Sequence, residues 1–111
     1  MQYIYDDGIY KVVRITGPKH NFLGIKLANA ETKIKITTLP IKDYETSKID
    51  ADDVLNQVNE GLIVINEHLG KKYYLSEVQF IPSDTMPSDV YKFLIQELIV
   101  KIDQNKNLNL F

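Results

Sequence analysis

The stretch Lys72–Asp103 narrows the possible folds more than any other part of the chain. It reads as a strand, a tight polar turn and a long amphipathic helix. Tyr73, Leu75, Val78, Phe80 and Ile81 supply the β-branched and aromatic bulk that strands favour, although their alternation slips by one around Ser76–Glu77. Pro82 lacks the N–H that a sheet ladder needs, so the strand is expected to stop there. Ser83, Asp84 and Thr85 each offer a helix N-cap, with Pro87 in the first turn, where a missing N–H costs nothing. Tyr91, Leu94, Ile95, Leu98, Ile99 and Ile102 then recur at helical spacing as one apolar stripe.

Upstream, the patterning is that of short strands separated by turns. Gln2–Tyr5 is followed by the turn residues Asp6-Asp7-Gly8, and Ile9–Thr16 by the breaker Gly17-Pro18. The buried face of Ile9–Thr16 is either Tyr10, Val12 and Arg14 or the more aliphatic Ile9, Lys11, Val13 and Ile15. Phe22–Ala28 forms a third strand, with Phe22, Ile25 and Leu27 inward and Gly24 at a bulge. Lys33–Leu39 alternates cleanly: Ile34 and Ile36 face one way, Lys33, Lys35 and Thr37 the other, as in a half-buried antiparallel strand. Pro40 ends it, and Lys42–Lys48 is a polar connector.

Residues 51–68 carry the first helical pattern. Val54, Leu55, Val58, Leu62, Ile65 and Leu69 fall on one face, Asp50 is placed to cap, and Asp52 and Asp53 complement the positive end of the helix dipole. Gly61 interrupts the pattern, and Ile63 and Val64 lie off the stripe, so Leu62–Ile65 also fits a strand. Gly70 suits the position after the helix. Gln104–Phe111 is a polar tail broken only by Leu108, Leu110 and Phe111.

The order ββββαβα predicts an α+β fold, a single domain over 1–111. It combines an antiparallel sheet of about five strands with two helices packed on one face, leaving the other partly open. At 111 residues such a chain can bury roughly 65% of its unfolded surface, so no disulfide or metal is needed, and it has no cysteine. Residues 1–7 lack the basic segment and apolar run of a signal peptide, and no stretch reaches the ~20 apolar residues of a membrane helix. The expected location is the cytoplasm.

Charge is segregated. Residues 1–42 hold seven bases against three acids (+4). Residues 43–70 hold one base, Lys48, against seven acids (−6), and residues 71–111 balance at five and five. This pattern concerns partners rather than fold. The acids at Asp43, Glu45, Asp50, Asp52, Asp53 and Glu60, with Tyr44 as aromatic anchor, are the candidate partner-binding residues, suited to a basic protein. The basic face of Lys26, Lys33, Lys35 and Lys42 offers a smaller case for nucleic acid, against an acidic overall balance and only one arginine.

Catalytic signals are weak. His20 lies in a loop and His68 at a helix end, neither with a metal-type partner at i+4. Asp50, Asp52 and Asp53 lack the Gly and terminal Glu of a calcium loop. No nucleophile elbow frames the serines, and the five glycines are scattered. The expectation is a protein without enzymatic activity, cofactor or metal.

The run Val78-Gln79-Phe80-Ile81-Pro82-Ser83-Asp84-Thr85, with Pro87, Tyr91 and Leu98-Ile99, resembles the ends of small bacterial immunity proteins from contact-dependent growth inhibition and related polymorphic toxin systems. The likeness covers the last third of the chain and is one of strand, cap and helix. It implies an antidote that binds one cognate toxin, often a nuclease, as a heterodimer; no binding residue carries over. The alternatives are a secretion chaperone or adaptor holding a peptide on its sheet, or a small nucleic-acid-binding domain.

Overall fold

The computed structural model describes residues 1–17, 19–85 and 88–105. Five strands and two helices follow in the order β1 (Gln2–Asp6), β2 (Ile9–Thr16), β3 (Lys19–Ala28), β4 (Lys35–Thr38), α1 (Ala51–Leu69), β5 (Tyr74–Phe80) and α2 (Val90–Asn105). The fold is α+β with the expected ββββαβα order. The predicted Pro18 and Pro87 features, and the tail beyond Asn105, lie outside the described residues; Gln104 and Asn105 complete the last turn of α2.

In the sheet the strands run β1-β2-β3-β5-β4. Asp7 and Gly8 link β1 to β2 with positive φ at both residues (51° and 82°), which a tight I′-type hairpin requires. One pairing departs from expectation. β4 does not return alongside β3; it pairs with β5 in parallel, Ile36 opposite Val78 and Thr38 opposite Phe80. β5 therefore enters between β3 and β4, and the α1 crossover provides the length that a parallel pair needs. β4 is also shorter than its alternating pattern suggested. Ile34 stays outside the ladder, yet packs partly buried against the core.

The slip in the alternation of β5 has a structural counterpart. Lys26 pairs with Glu77 but Leu27 with Leu75, so Ser76 is the extra residue of a bulge. That bulge keeps Leu75 and Val78 on the same, buried face although they are three residues apart. Gly24, expected at a bulge, pairs regularly with Lys11 and Gln79.

One face of the sheet is covered. Val12, Leu23, Ile25, Val78 and Phe80 share one core with Tyr91, Leu94, Ile95, Leu98 and Ile99 of α2, all essentially inaccessible. Each such side chain contributes about 1.5–3 kcal/mol of transfer free energy. β2 therefore turns Tyr10 and Val12 inward, and the more aliphatic set faces out: Ile15 is 65% exposed. Burying Lys11 beneath α2 would cost more than exposing Ile15 and Val13.

Val54, Val58, Gly61 and Ile65 form the buried stripe of α1, and residues 62–65 are helical, so the strand alternative for them is not adopted. At Gly61 a Cβ would collide with Ile95 Cγ2 and the Lys92 carbonyl oxygen, so the glycine is the contact point of the two helices. Asp50 occupies the N-cap position with extended backbone (φ −85°, ψ 134°) but makes no side-chain capping bond. Gly70 closes the helix in the left-handed region, its N–H reaching the carbonyls of Asn66 and Glu67.

The other expected caps are not caps. α2 begins at Val90, and the Tyr91 N–H donates to Gln57 Oε1 of α1 at 3.0 Å, so a side chain of the neighbouring helix satisfies this free donor. Ser83, Asp84 and Thr85 instead form a strap. The Pro82 carbonyl accepts the N–H groups of Lys48 and Ile49, at 2.7 and 3.2 Å, and the Thr85 N–H donates to the His20 carbonyl at 3.1 Å.

Candidate partner-binding surface

The strap positions the acidic segment. Glu45 folds back on it: Oε1 accepts the Lys42 N–H at 2.9 Å and Oε2 the Ser83 hydroxyl at 3.1 Å. The bond from the Lys42 backbone, followed by that from Ser83, holds the Glu45 carboxyl below its ordinary range. Ile49, buried against the core, anchors the far end of the segment. Within the turn that Glu45 closes onto Lys42, Tyr44 projects into solvent, 79% exposed, with Lys42 Nζ 5.7 Å from its ring centroid.

The acids that follow lie on the outer face of α1. Asp52 and Asp53 sit in the first turn, beside the positive end of the helix dipole. At intervals of three and four residues come Asn56, Glu60, the pair Ile63 and Val64, and Glu67, all exposed. Among the described residues, Asp43, Asp50, Asp52 and Asp53 have no ion-pair partner, and Glu60 reaches Lys92 only at 3.9 Å. The predicted site residues thus share the connector and one side of α1. Glu45 differs from the other five acids in having both carboxylate oxygens engaged internally.

Two residues not counted with the acids belong on this surface. Ile63 is 66% exposed and Val64 45%. Their position off the apolar stripe was visible in the sequence, and it marks apolar side chains that the core does not use.

Ile63 also borders an open groove of about 1030 Å³ between α1, residues 31–34 and the start of β5. Leu55, Leu62, Ile34 and Tyr73 line it, with Lys33 and Glu67 among its charged residues. Asn66 fixes the wall, its amide donating to the Tyr73 carbonyl and its oxygen accepting the Tyr73 N–H, at 3.1 and 3.0 Å.

Asp84, His20 and Ser83 are engaged within the fold. Asp84 is 1% exposed; its Oδ2 accepts the Phe22 N–H at 2.7 Å, and His20 Nε2 lies 3.4 Å from Oδ1. Burial raises the Asp84 carboxyl above its ordinary value, opposed by the Phe22 bond and the nearby imidazole. The adjacent Ser83 hydroxyl is committed to Glu45, so this His–Asp pair has no serine nucleophile beside it and serves as a clasp on the strap. Among the described residues no three or more His, Asp or Glu side chains gather as a metal site.

The lysines considered for nucleic acid do not form one patch. Lys26 and Lys35 flank Glu77 across the open face, Lys33 lines the groove and Lys42 lies by Tyr44. Glu77 is itself held below the ordinary carboxylate range, first by the Gln79 amide and then by the Thr37 hydroxyl.

Among the described residues, no helix is long and apolar enough to cross a membrane. No protein-family model matches the chain, and no curated protein and no solved structure matches it.

Proposed function

We propose that this chain is a non-enzymatic immunity protein of a bacterial toxin system, acting in the cytoplasm by binding and neutralising a cognate basic toxin domain, such as a nuclease. The observation that carries the proposal is the surface formed by the 43–53 segment and α1. Four acids without ion-pair partners among the described residues share the segment and the start of α1 with an exposed tyrosine, and exposed Ile63 and Val64 follow along the outer side of the helix. Uncompensated acids repel one another and contribute little to folding, whereas a basic partner relieves that repulsion and is steered by it. Tyr44 and Ile63 supply the apolar centre that an interface needs besides charge. A nuclease must hold phosphates, so its substrate face has the matching sign.

The decisive experiment is co-expression. The partner inhibits growth alone, and wild-type chain relieves the inhibition through a stoichiometric complex. Asp52→Lys/Asp53→Lys weakens both effects while the variant stays folded.

The groove beside α1 favours a second reading, a secretion chaperone or adaptor that holds an extended peptide. The two readings separate on the partner's state. A linear segment that binds as well as the folded domain favours the adaptor; a requirement for the folded domain favours the antidote.

A further inference from the structure

We infer that a small cavity at the turn end of the β2–β3 hairpin, beside the start of α2, binds a phosphoryl group. Its volume is about 180 Å³, and Arg14, Thr16, Lys19, Asn21, Thr85 and Ser88 supply its polar lining. Register explains why they meet. Arg14 pairs with Asn21 and Thr16 with Lys19, so four polar side chains continue the face that Val12 and Leu23 occupy further in. Thr85 and Ser88 arrive from the strap and from the residues just before α2.

Three features make this an anion site rather than a solvated rim. Among the described residues no acid lines the cavity, although acids outnumber bases in the chain, 15 to 13. Among the described residues neither Arg14 nor Lys19 has a carboxylate within ion-pair distance; Asp84, on the same strap, is turned to the Phe22 N–H and His20. Arg14 is also held in place, with its guanidinium carbon 5.8 Å from the Phe93 ring centroid. A guanidinium lying over a ring keeps its N–H edge free for two oxygens of one ligand.

The lining sets the ligand chemistry: a phosphoryl group, as free phosphate or as the end of a small monoester, with Arg14 and Lys19 supplying charge and the Thr16 and Ser88 hydroxyls donating to its oxygens. This inference is independent of the acidic surface and of any toxin partner.

The test is an amide NMR titration with inorganic phosphate at ionic strength held constant by chloride, repeated with glycerol phosphate. The expected result is saturable shifts at Arg14, Thr16, Lys19, Asn21 and Ser88, weakened at least tenfold in Lys19→Gln and in Arg14→Gln. Tighter glycerol phosphate binding would identify a monoester as the ligand, and tighter inorganic phosphate binding the free ion. Lys19 is exposed, so Lys19→Gln remains informative should Arg14→Gln fail to fold. Shifts that chloride alone reproduces, or that Lys19→Gln leaves unchanged, would overturn the inference.

Discussion

Asp84 illustrates how a residue with the right chemistry for one role takes another. A Ser-Asp-Thr run between a proline and an apolar stripe has the composition of an N-cap, but a cap acts locally and Asp84 acts across 62 residues, on the Phe22 N–H. Two substitutions separate its charge from its hydrogen bond. Asp84→Ala orphans a partly buried donor and is expected to cost about 1–3 kcal/mol in urea unfolding. Asp84→Asn keeps an acceptor and removes the buried charge. Because burial raises the folded carboxyl above its ordinary value of 3.8, ionisation favours the unfolded chain. Wild type should therefore lose stability relative to Asp84→Asn as pH rises from below 3.8 through the raised value. A constant difference between the two proteins across that range would contradict this account. Gly61 gives a test with opposing effects. Alanine gains about 1 kcal/mol of helix propensity, yet its methyl meets a backbone carbonyl that cannot step aside, and overpacking costs about 1–3 kcal/mol. Gly61→Ala is expected to lower the thermal midpoint; a rise would mean that the helices separate without penalty.

At the scale of elements, the sequence was most legible where periodicity was long. The first helix and the first two strands fall within a residue or so of their patterns, because a wide apolar stripe or a clean hairpin turn is a local signal, whereas α2 starts at Val90, later than its cap residues suggested. The β5 bulge was legible as well, since the slip at Ser76–Glu77 is the bulge itself. What the sequence left hidden depended on pairing across distance. Nothing in Lys33–Leu39 announces that its partner is β5, and nothing near Val90 announces that Gln57 satisfies the Tyr91 N–H. The buried face of β2 also went against its aliphatic content, because Lys11 excluded the alternative. Two tyrosines tie α2 to its surroundings. Tyr73 donates to Asp103 Oδ1 at 2.5 Å, and Tyr91 lies in the core with Asn21 Nδ2 3.4 Å from its hydroxyl. Burial, first in each case, raises both hydroxyls to about 12. A raised folded value means stability that is present below pH 10 and lost as pH climbs from 10 toward 12. Ultraviolet titration should show two tyrosines ionising only at about 12, and Tyr73→Phe should remove one of them while reducing the alkaline loss of stability. An unchanged titration curve would contradict the Tyr73 assignment.

For the whole molecule, the charge segregation read along the chain becomes a segregation in space. The acidic segment forms the connector and outer side of α1, and the cationic pair Arg14 and Lys19 stands at the end of the β2–β3 hairpin, with the strap from Pro82 to Thr85 touching both regions. Of the proposed partner-binding residues, the acids were legible from sign alone. Ile63 and Val64 could be seen to lie off the apolar stripe, but the same pattern also fitted a strand, and only the helix observed over 62–65 puts both on the outer side of α1. The internal engagement of Glu45 was hidden as well, since only the fold brings Ser83 within reach. Salt should slow association with a basic partner steeply, as steering between opposite charges is screened over ~8–10 Å near physiological ionic strength, while Tyr44→Ala should speed dissociation with little effect on association.

The most direct test of the proposed antidote function is the affinity of the purified toxin domain for wild type, Asp52→Lys/Asp53→Lys and Tyr44→Ala, measured by calorimetry alongside relief of its toxicity. The account predicts a one-to-one complex with the folded toxin. Both variants should weaken binding at least tenfold, and protection should fall in step. Equal affinity across the three proteins, or protection without binding at this surface, would contradict it.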